Sequence, residues 1–202
     1  KTKTWIESNQ LIIKEAMELE TFHGQYIGSQ CFTVGTKIHL RLSMNPDKAM
    51  GMNMITFASK RVCSMINKEI SNTETLALSG NMCTDKKIGA INWTLGRGIK
   101  KIATAHVSDE ILKQYKCCKD TLIKLNIEKN LIGSSMAGTV GGNNCHASNI
   151  VAGLFLATGQ DLGQVGTSAM CLTNYSKTDS GLKIEITMPS IEVAIVGGGT
   201  GL

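Results

Sequence analysis

No run of about 18 apolar residues occurs anywhere in the 202-residue chain, so it reads as soluble, and Lys1 does not open a signal peptide. Two prolines against 21 glycines argue for many tight turns and against a disordered, proline-rich linker. Aromatic residues make up only 4%, and the basic residues are scattered from Lys1 to Lys183 without a stripe interleaved with aromatics, which argues against nucleic acid as a partner. The net charge of +5 suits an anionic small molecule better. The seven cysteines are odd in number and contain no CxxC, so a zinc site is not expected. With one vicinal pair, Cys117–Cys118, they also argue against a secreted disulfide framework and for a reducing compartment. No Ser-His-Asp or Cys-His constellation stands out, since Cys145 and His146 are only sequence neighbours.

What is present is a folded globular chain, 42% hydrophobic and 18% charged, long enough for one ordinary domain or two small ones. The pattern predicts a helix from Ser8 or Asn9 to about Leu19, then strands at Tyr26–Val34 and Lys37–Leu42 around Gly35–Thr36. A turn at Asn45–Pro46–Asp47 precedes a helix over Ala49–Ile70, and Thr75–Leu78 reads as a buried strand. After Gly96–Gly98 come a strand at Ile99–Val107 and a helix capped by Ser108–Asp109 that runs to about Ile127. Leu131–Gly142 reads as a small-residue connection, Asn143–Thr158 as a helix, Asp161 as a turn residue, and Leu182–Met188 with Ile191–Val196 as strands. The fold class is α+β. The chain lacks a starting methionine and stops after an apolar run, so it reads as a piece of something larger.

Within this frame Ser79–Lys87, SGNMCTDKK, is a loop held between apolar ends. Lys86 and Lys87 offer ammonium donors, Ser79 and Asn81 neutral ones, and Asp85 can orient a lysine, which together suit a carboxylate or oxyanion receptor. A Lys-Lys pair is equally at home on a solvated surface, and on this stretch alone both readings stand. Met50–Met54, in AMGMNM, reads either as a helix opening that receives a phosphate or as the start of a Met-rich core helix. Gly197–Thr200, GGGT, is a weak phosphate-cradle signal without the GxGxxG spacing. His146 and Asn149 share a helix face, and His146 is expected buried. Lys116 and Lys129 read as solvated lysines, and Asp161 as a turn carboxylate that could stabilise an ammonium at Lys86.

The collinear set AMGMNM, SGNMCTDKK, AINW, GRG, EKNLIGSSMAG, GGNNCHASNIV, GQD and MPSIEVAIVGGGT resembles the catalytic domain of 3-hydroxy-3-methylglutaryl-CoA reductases of the eukaryotic type, most strongly from Ala49 onward. The resemblance implies reduction of hydroxymethylglutaryl-CoA to mevalonate and CoA by two hydride transfers from NADPH. It implies a small ferredoxin-like cofactor domain, residues 1–78, inserted in a larger helix-rich substrate domain of which 79–202 is part. It makes Lys86 the catalytic lysine and Asp161 the aspartate coupling it to an acid. Ser79, Asn81, Asp85, Lys87, Lys129 and Asn149 fall around the hydroxymethylglutaryl group, and Lys116 near CoA. Met50, Gly51, Met52, Asn53 and Met54, with Gly197, Gly198, Gly199 and Thr200, fall where the family holds NADP. The family pattern also differs here: Lys48 stands in place of an Asp, Ile88 of a Pro, Asn143 of a Tyr, and Thr21–Phe22–His23 of Ser-Arg-Phe, which removes an arginine beside the cofactor's 2′-phosphate. A glutamate and an arginine are expected upstream of Lys1, a histidine downstream of Leu202, and an active site shared between the subunits of a homo-oligomer. An endoplasmic-reticulum membrane anchor is expected outside this chain, with the catalytic part in the cytosol. The competing reading is a diverged, non-catalytic relative that binds a CoA-like ligand or a partner chain.

Overall fold

The computed structural model describes residues 1–19 and 21–198, which fall into two compact units, Lys1–Cys83 with Ala194–Gly198, and Thr84–Val193. Gly199 and Thr200, expected at the cofactor, lie outside the described residues.

The first unit opens with α1 (Thr2–Ser8) and α2 (Gln10–Glu18). Asn9 separates them, so the expected helix begins where predicted but a second one precedes it. Asn9 does not cap α2: its side-chain amide donates back to the Trp5 carbonyl at 2.7 Å. Strands β1 (Gln25–Val34) and β2 (Lys37–Asn45) form an antiparallel hairpin whose turn Gly35 has φ 56°. The eighteen-residue α3 (Met52–Glu69) lies along α2, and Ile13, Met17, Ala58, Val62 and Ile66 form an apolar core against the inner residues of the hairpin. Gly51 precedes α3 with φ 77°, and a Cβ there would meet the Pro46 ring at 2.5 Å, so only glycine fits this turn. Thr75–Leu78 forms no strand. The segment finds no strand to pair with, and Leu76 is 71% exposed.

In the second unit, α4 (Ile91–Leu95) leads to β3 (Ile99–Ser108), α5 (Asp109–Gln114) and α6 (Lys119–Leu125). The helix expected to run from Ser108 to Ile127 is therefore broken, at Lys116, whose φ is 53°. Ser108 does cap it, its hydroxyl accepting from the Ile111 N–H at 3.3 Å. A π-helix, Asn126–Gly133, follows α6 and passes into α7 (Ser134–Met136), so half of the expected connection is helical. Then come β4 (Gly142–Asn143), α8 (Ala147–Ala157), a 3₁₀ turn at Leu162–Gln164, α9 (Val165–Ser168), β5 (Cys171–Thr178) and β6 (Gly181–Ile191). The sheet order is β3-β6-β5-β4, antiparallel except for the short β4·β5 pair. β5 has no counterpart in the sequence reading, and residues 192–196 leave the sheet where a strand was expected. Val151, Phe155 and Ala169 make a small apolar core, and Asn92, Asn126, Gln164, Thr167, Ser190 and Glu192 are buried polar residues of the same unit.

Candidate active site

The loop Ser79–Lys87 is held at several points. In the first unit the Arg41 guanidinium donates to the Met82 carbonyl at 2.8 Å, and the Ser79 hydroxyl lies 3.6 Å from the Cys83 sulfur. In the second, the Thr84 hydroxyl donates to Asn92 Oδ1 at 2.6 Å, and the Lys87 N–H closes a turn on the Thr84 carbonyl at 3.0 Å. Asn81, Thr84 and Lys86 all have positive φ, 60°, 54° and 56°. A β-branched threonine there is an outlier, and such backbone persists only where the surroundings over-determine it.

What the strained turn presents is Lys86. Its Nζ lies 2.9 Å from Asp161 Oδ2, while Asp161 Oδ1 accepts the Gly163 N–H at 2.9 Å. Asp161 is thus a turn residue, capping the 3₁₀ turn, and the partner of the lysine at once. A Cβ on Gly163 would sit 2.8 Å from Lys86 Cδ, so the glycine leaves room for the lysine stem. The hydrogen bond to Asp161 and then its charge hold Lys86 above the usual lysine range, with Asp85 and Glu192 adding to it. The hydrogen bond from Lys86 in turn holds Asp161 below the usual carboxylate range. Half of the Lys86 side chain remains exposed, so a cation at fixed position is open to a ligand. Lys87 is exposed and turns its Nζ back to the Asp85 carbonyl at 3.0 Å.

Asp85 itself faces Arg97, whose Nη2 is 2.6 Å from its Oδ1, and the Gln164 amide donates to the same oxygen at 2.9 Å. Arg97 Nε also lies 2.8 Å from Oε1 of Glu192, a carboxylate 4% exposed. Burial pushes the Glu192 carboxyl up, against the lowering effect of Arg97. Arg97, Gln164 and Glu192 received no role from the sequence, although GRG and MPSIE contain the first and the last and Gln164 follows GQD by three residues.

A recess of about 450 Å³ in the same unit is lined by Ile88, Gly141, Gly142, His146, Asn149 and Met170, among others, and brings Asn149 to the residue that follows Lys87. His146 is exposed, not buried as expected. It precedes α8 with φ 63°, and its ring lies 3.5 Å from the Asn149 amide. Lys129 is exposed on the π-helix and Lys116 at the helix break.

In the first unit, residues about 145 positions apart in sequence meet. Ala49 and Val196 form a parallel bridge, the Met50 N–H donates to the Val196 carbonyl at 3.0 Å, and the N–H groups of Ile195 and Val196 donate to Lys48. Gly197, with φ 66° and nothing within 4 Å of where a Cβ would lie, therefore borders the opening of α3. The Met50 N–H is spent on this bridge, so any phosphate at α3 falls to the groups beyond it. Two glycines at positive φ beside the opening of a long helix without a capping side chain fit a phosphate-bearing cofactor.

The chain belongs to the hydroxymethylglutaryl-coenzyme A reductase family, whose model matches residues 1–202. It is 44% identical over 199 residues to the 3-hydroxy-3-methylglutaryl-coenzyme A reductase of Pyrococcus horikoshii, covering 97% of this chain and 48% of that protein. It is 42% identical over 205 residues to 3-hydroxy-3-methylglutaryl-coenzyme A reductase 2 of Dictyostelium discoideum, covering 99% and 39%. The chain thus spans half or less of the length of these relatives. The class II reductase of Streptococcus pneumoniae, solved bound to NADPH in open conformations, shares the fold at TM-score 0.64 with 16% identity, over 99% of this chain and 56% of that one. No helix among the described residues is long and apolar enough to cross a membrane, and no cluster of metal-ligating side chains occurs among them.

Proposed function

We propose that the chain carries the central catalytic apparatus of an oxidoreductase that converts hydroxymethylglutaryl-CoA to mevalonate and CoA at the expense of NADPH. The observation that carries this reading is the Lys86–Asp161 pair, a half-exposed ammonium fixed at 2.9 Å on a strained turn, in a chain of this family. In the net reaction the thioester carbonyl carbon takes up two hydrides, two protons are added, the C–S bond breaks and CoA departs as the thiol. NADPH supplies the hydrides when bound. The opening of α3 with Gly51, Met52, Asn53 and Met54, together with Met50, Gly197 and Gly198, would hold it, which makes the unit of residues 1–83 and 194–198 the cofactor unit.

Each hydride added to a carbonyl leaves negative charge on oxygen. An ammonium already in place stabilises that charge without reorganising, an effect of about 10² to 10³ in rate for one such donor. Asp161 keeps Lys86 charged and aimed. Ser79, Asn81, Asp85, Lys87, Lys129 and Asn149 would bind the hydroxymethylglutaryl group, whose carboxylate suits the lysines, and Lys116 the CoA moiety. The family resemblance supports a homo-oligomer with shared active sites and an anchor in the endoplasmic-reticulum membrane supplied by residues outside this chain.

The test is to supply the protein, expressed from its complete reading frame, with hydroxymethylglutaryl-CoA and NADPH. Two NADPH consumed per CoA thiol released, with mevalonate as product, is the expected result. A non-catalytic relative would bind the thioester in a calorimeter and consume no NADPH.

A further inference from the structure

We propose that Arg97 and Glu192 are positioning residues: the guanidinium, seated against the buried Glu192 carboxylate, grips Asp85 and so delivers the neighbouring Lys86 to Asp161. This deepens the proposed function and rests on its reading of Lys86. The geometry is that of a clasp across three segments. Glu192, just past β6, is anchored by its own N–H, which donates to the buried Ser168 hydroxyl at 2.9 Å. Arg97, just past α4, reaches Glu192 at 2.8 Å with Nε and Asp85 at 2.6 Å with Nη2. Nε and Glu192 Oε1 meet as an ion pair without a directed hydrogen bond, so one rigid, permanently charged plane holds Glu192 by charge and Asp85 by a hydrogen bond from Nη2. Gln164 adds a second hold on Asp85 Oδ1 at 2.9 Å, and Gln164 is the last residue of the 3₁₀ turn that Asp161 caps. Asp85 and Asp161 are thereby tied to one frame. The strained backbone at Thr84 and Lys86, on either side of Asp85, requires such a frame, because a turn of this kind left to itself relaxes.

The clasp differs from mere charge balance in sign. Asp85 and Glu192 both favour the charged form of Lys86, so deleting Arg97 while the loop stays in place would strengthen their pull and raise the Lys86 midpoint further. Releasing the loop instead separates Lys86 from Asp161 and lowers it. The experiment follows the acylation of Lys86 by acetic anhydride as a function of pH, read by mass spectrometry, in the parent, Arg97→Ala, Arg97→Ala/Glu192→Gln and Arg97→Lys, each checked for a cooperative thermal transition. The double variant leaves Glu192 without an unpaired buried charge, and because it also removes the pull of Glu192 on Lys86 it supports the clasp only by a fall all the way to the peptide value. Arg97→Lys keeps the charge and gives up the fork. In the parent the midpoint should lie above that of a lysine in an unstructured peptide, about 10.4. It should fall to the peptide value in both Arg97→Ala backgrounds and part of the way in Arg97→Lys. A midpoint at or above the parent's in any folded variant overturns the clasp and leaves the role of Lys86 intact. A parent midpoint at the peptide value overturns the Lys86–Asp161 pairing, and the clasp with it.

Discussion

At Gly163 a single hydrogen in place of a methyl group decides where an ammonium can stand. An alanine Cβ would press on Lys86 Cδ at 2.8 Å and Cε at 3.1 Å, and a lysine stem yields more readily than backbone. Gly163→Ala should leave stability within about 0.5 kcal/mol of the parent. It should lower kcat by up to about 10²-fold through misplacement, with KM less affected; steady-state kinetics beside a thermal melt check both. The pair that Gly163 accommodates also sets a pH window. Asp161 is lowered, so its contribution is present above about pH 3.9 and is lost as pH falls through its folded value; Lys86 is raised, so its contribution is whole below about pH 10.4 and is lost as pH rises through its folded value. With Lys86 half exposed, the pair contributes about 0.2–1 kcal/mol. The stability difference between the parent and Asp161→Asn should be level at mid pH and shrink toward both extremes, and a difference that grew in acid would contradict it. Phe22, fully exposed, stands where the family resemblance places an arginine, while Lys48 joins the bridge beside the opening of α3. Discrimination for NADPH over NADH should therefore be weak and fall further in Lys48→Asp. Comparison of kcat/KM for the two cofactors tests this, and strong NADPH selectivity that survives Lys48→Asp refutes it.

Among the elements, the π-helix Asn126–Gly133 shows how the second unit holds its polar interior. Asn126 and Asn130 face the sheet: the Thr173 hydroxyl donates to Asn126 Oδ1 at 2.7 Å, the Asn130 amide donates to the same oxygen at 2.8 Å, and the Asn126 amide donates to the Thr173 carbonyl at 3.1 Å. Asn126→Ala removes one member and leaves buried partners unpaired, so it should cost about 1–3 kcal/mol in urea unfolding. A cost below that of an ordinary surface substitution would show that the network relaxes. This element was not legible in the sequence, because asparagines in NIEKN read as loop or helix-end residues until Thr173 is known to lie opposite. β5 was missed for the same reason: in CLTNYSKT the buried positions are Cys171 and Thr173, and the threonine hides the alternation. The hairpin and α3 were legible because Ile38, Leu40 and Leu42 alternate with charged residues and the apolar residues of 49–70 recur at helical spacing. Leu76–Leu78 had the composition of a strand without a partner, and pairing is what makes a strand.

For the molecule as a whole, the α+β class and the loop carrying Lys86 followed from local pattern and family resemblance, whereas the clasp of Arg97 on Asp85 and Glu192 did not. Residues 85, 97, 164 and 192 lie in four segments, and no spacing rule states which carboxylate an arginine will choose. The same holds for Met50 and Val196, joined across most of the chain by one hydrogen bond. Under the proposed function, the clasp serves to hold one ammonium on a strained turn where a carbonyl oxygen would gain charge. The most direct test is the rate of NADPH oxidation with hydroxymethylglutaryl-CoA by the protein from its complete reading frame, parent against Lys86→Ala, with Lys87→Ala as the neighbour control. Lys86→Ala should lose about 10² to 10³ in kcat with an unchanged thermal transition, and Lys87→Ala should lose less. A Lys86→Ala protein that kept more than about a tenth of the parent rate, well short of the loss of an oxyanion donor, would contradict it.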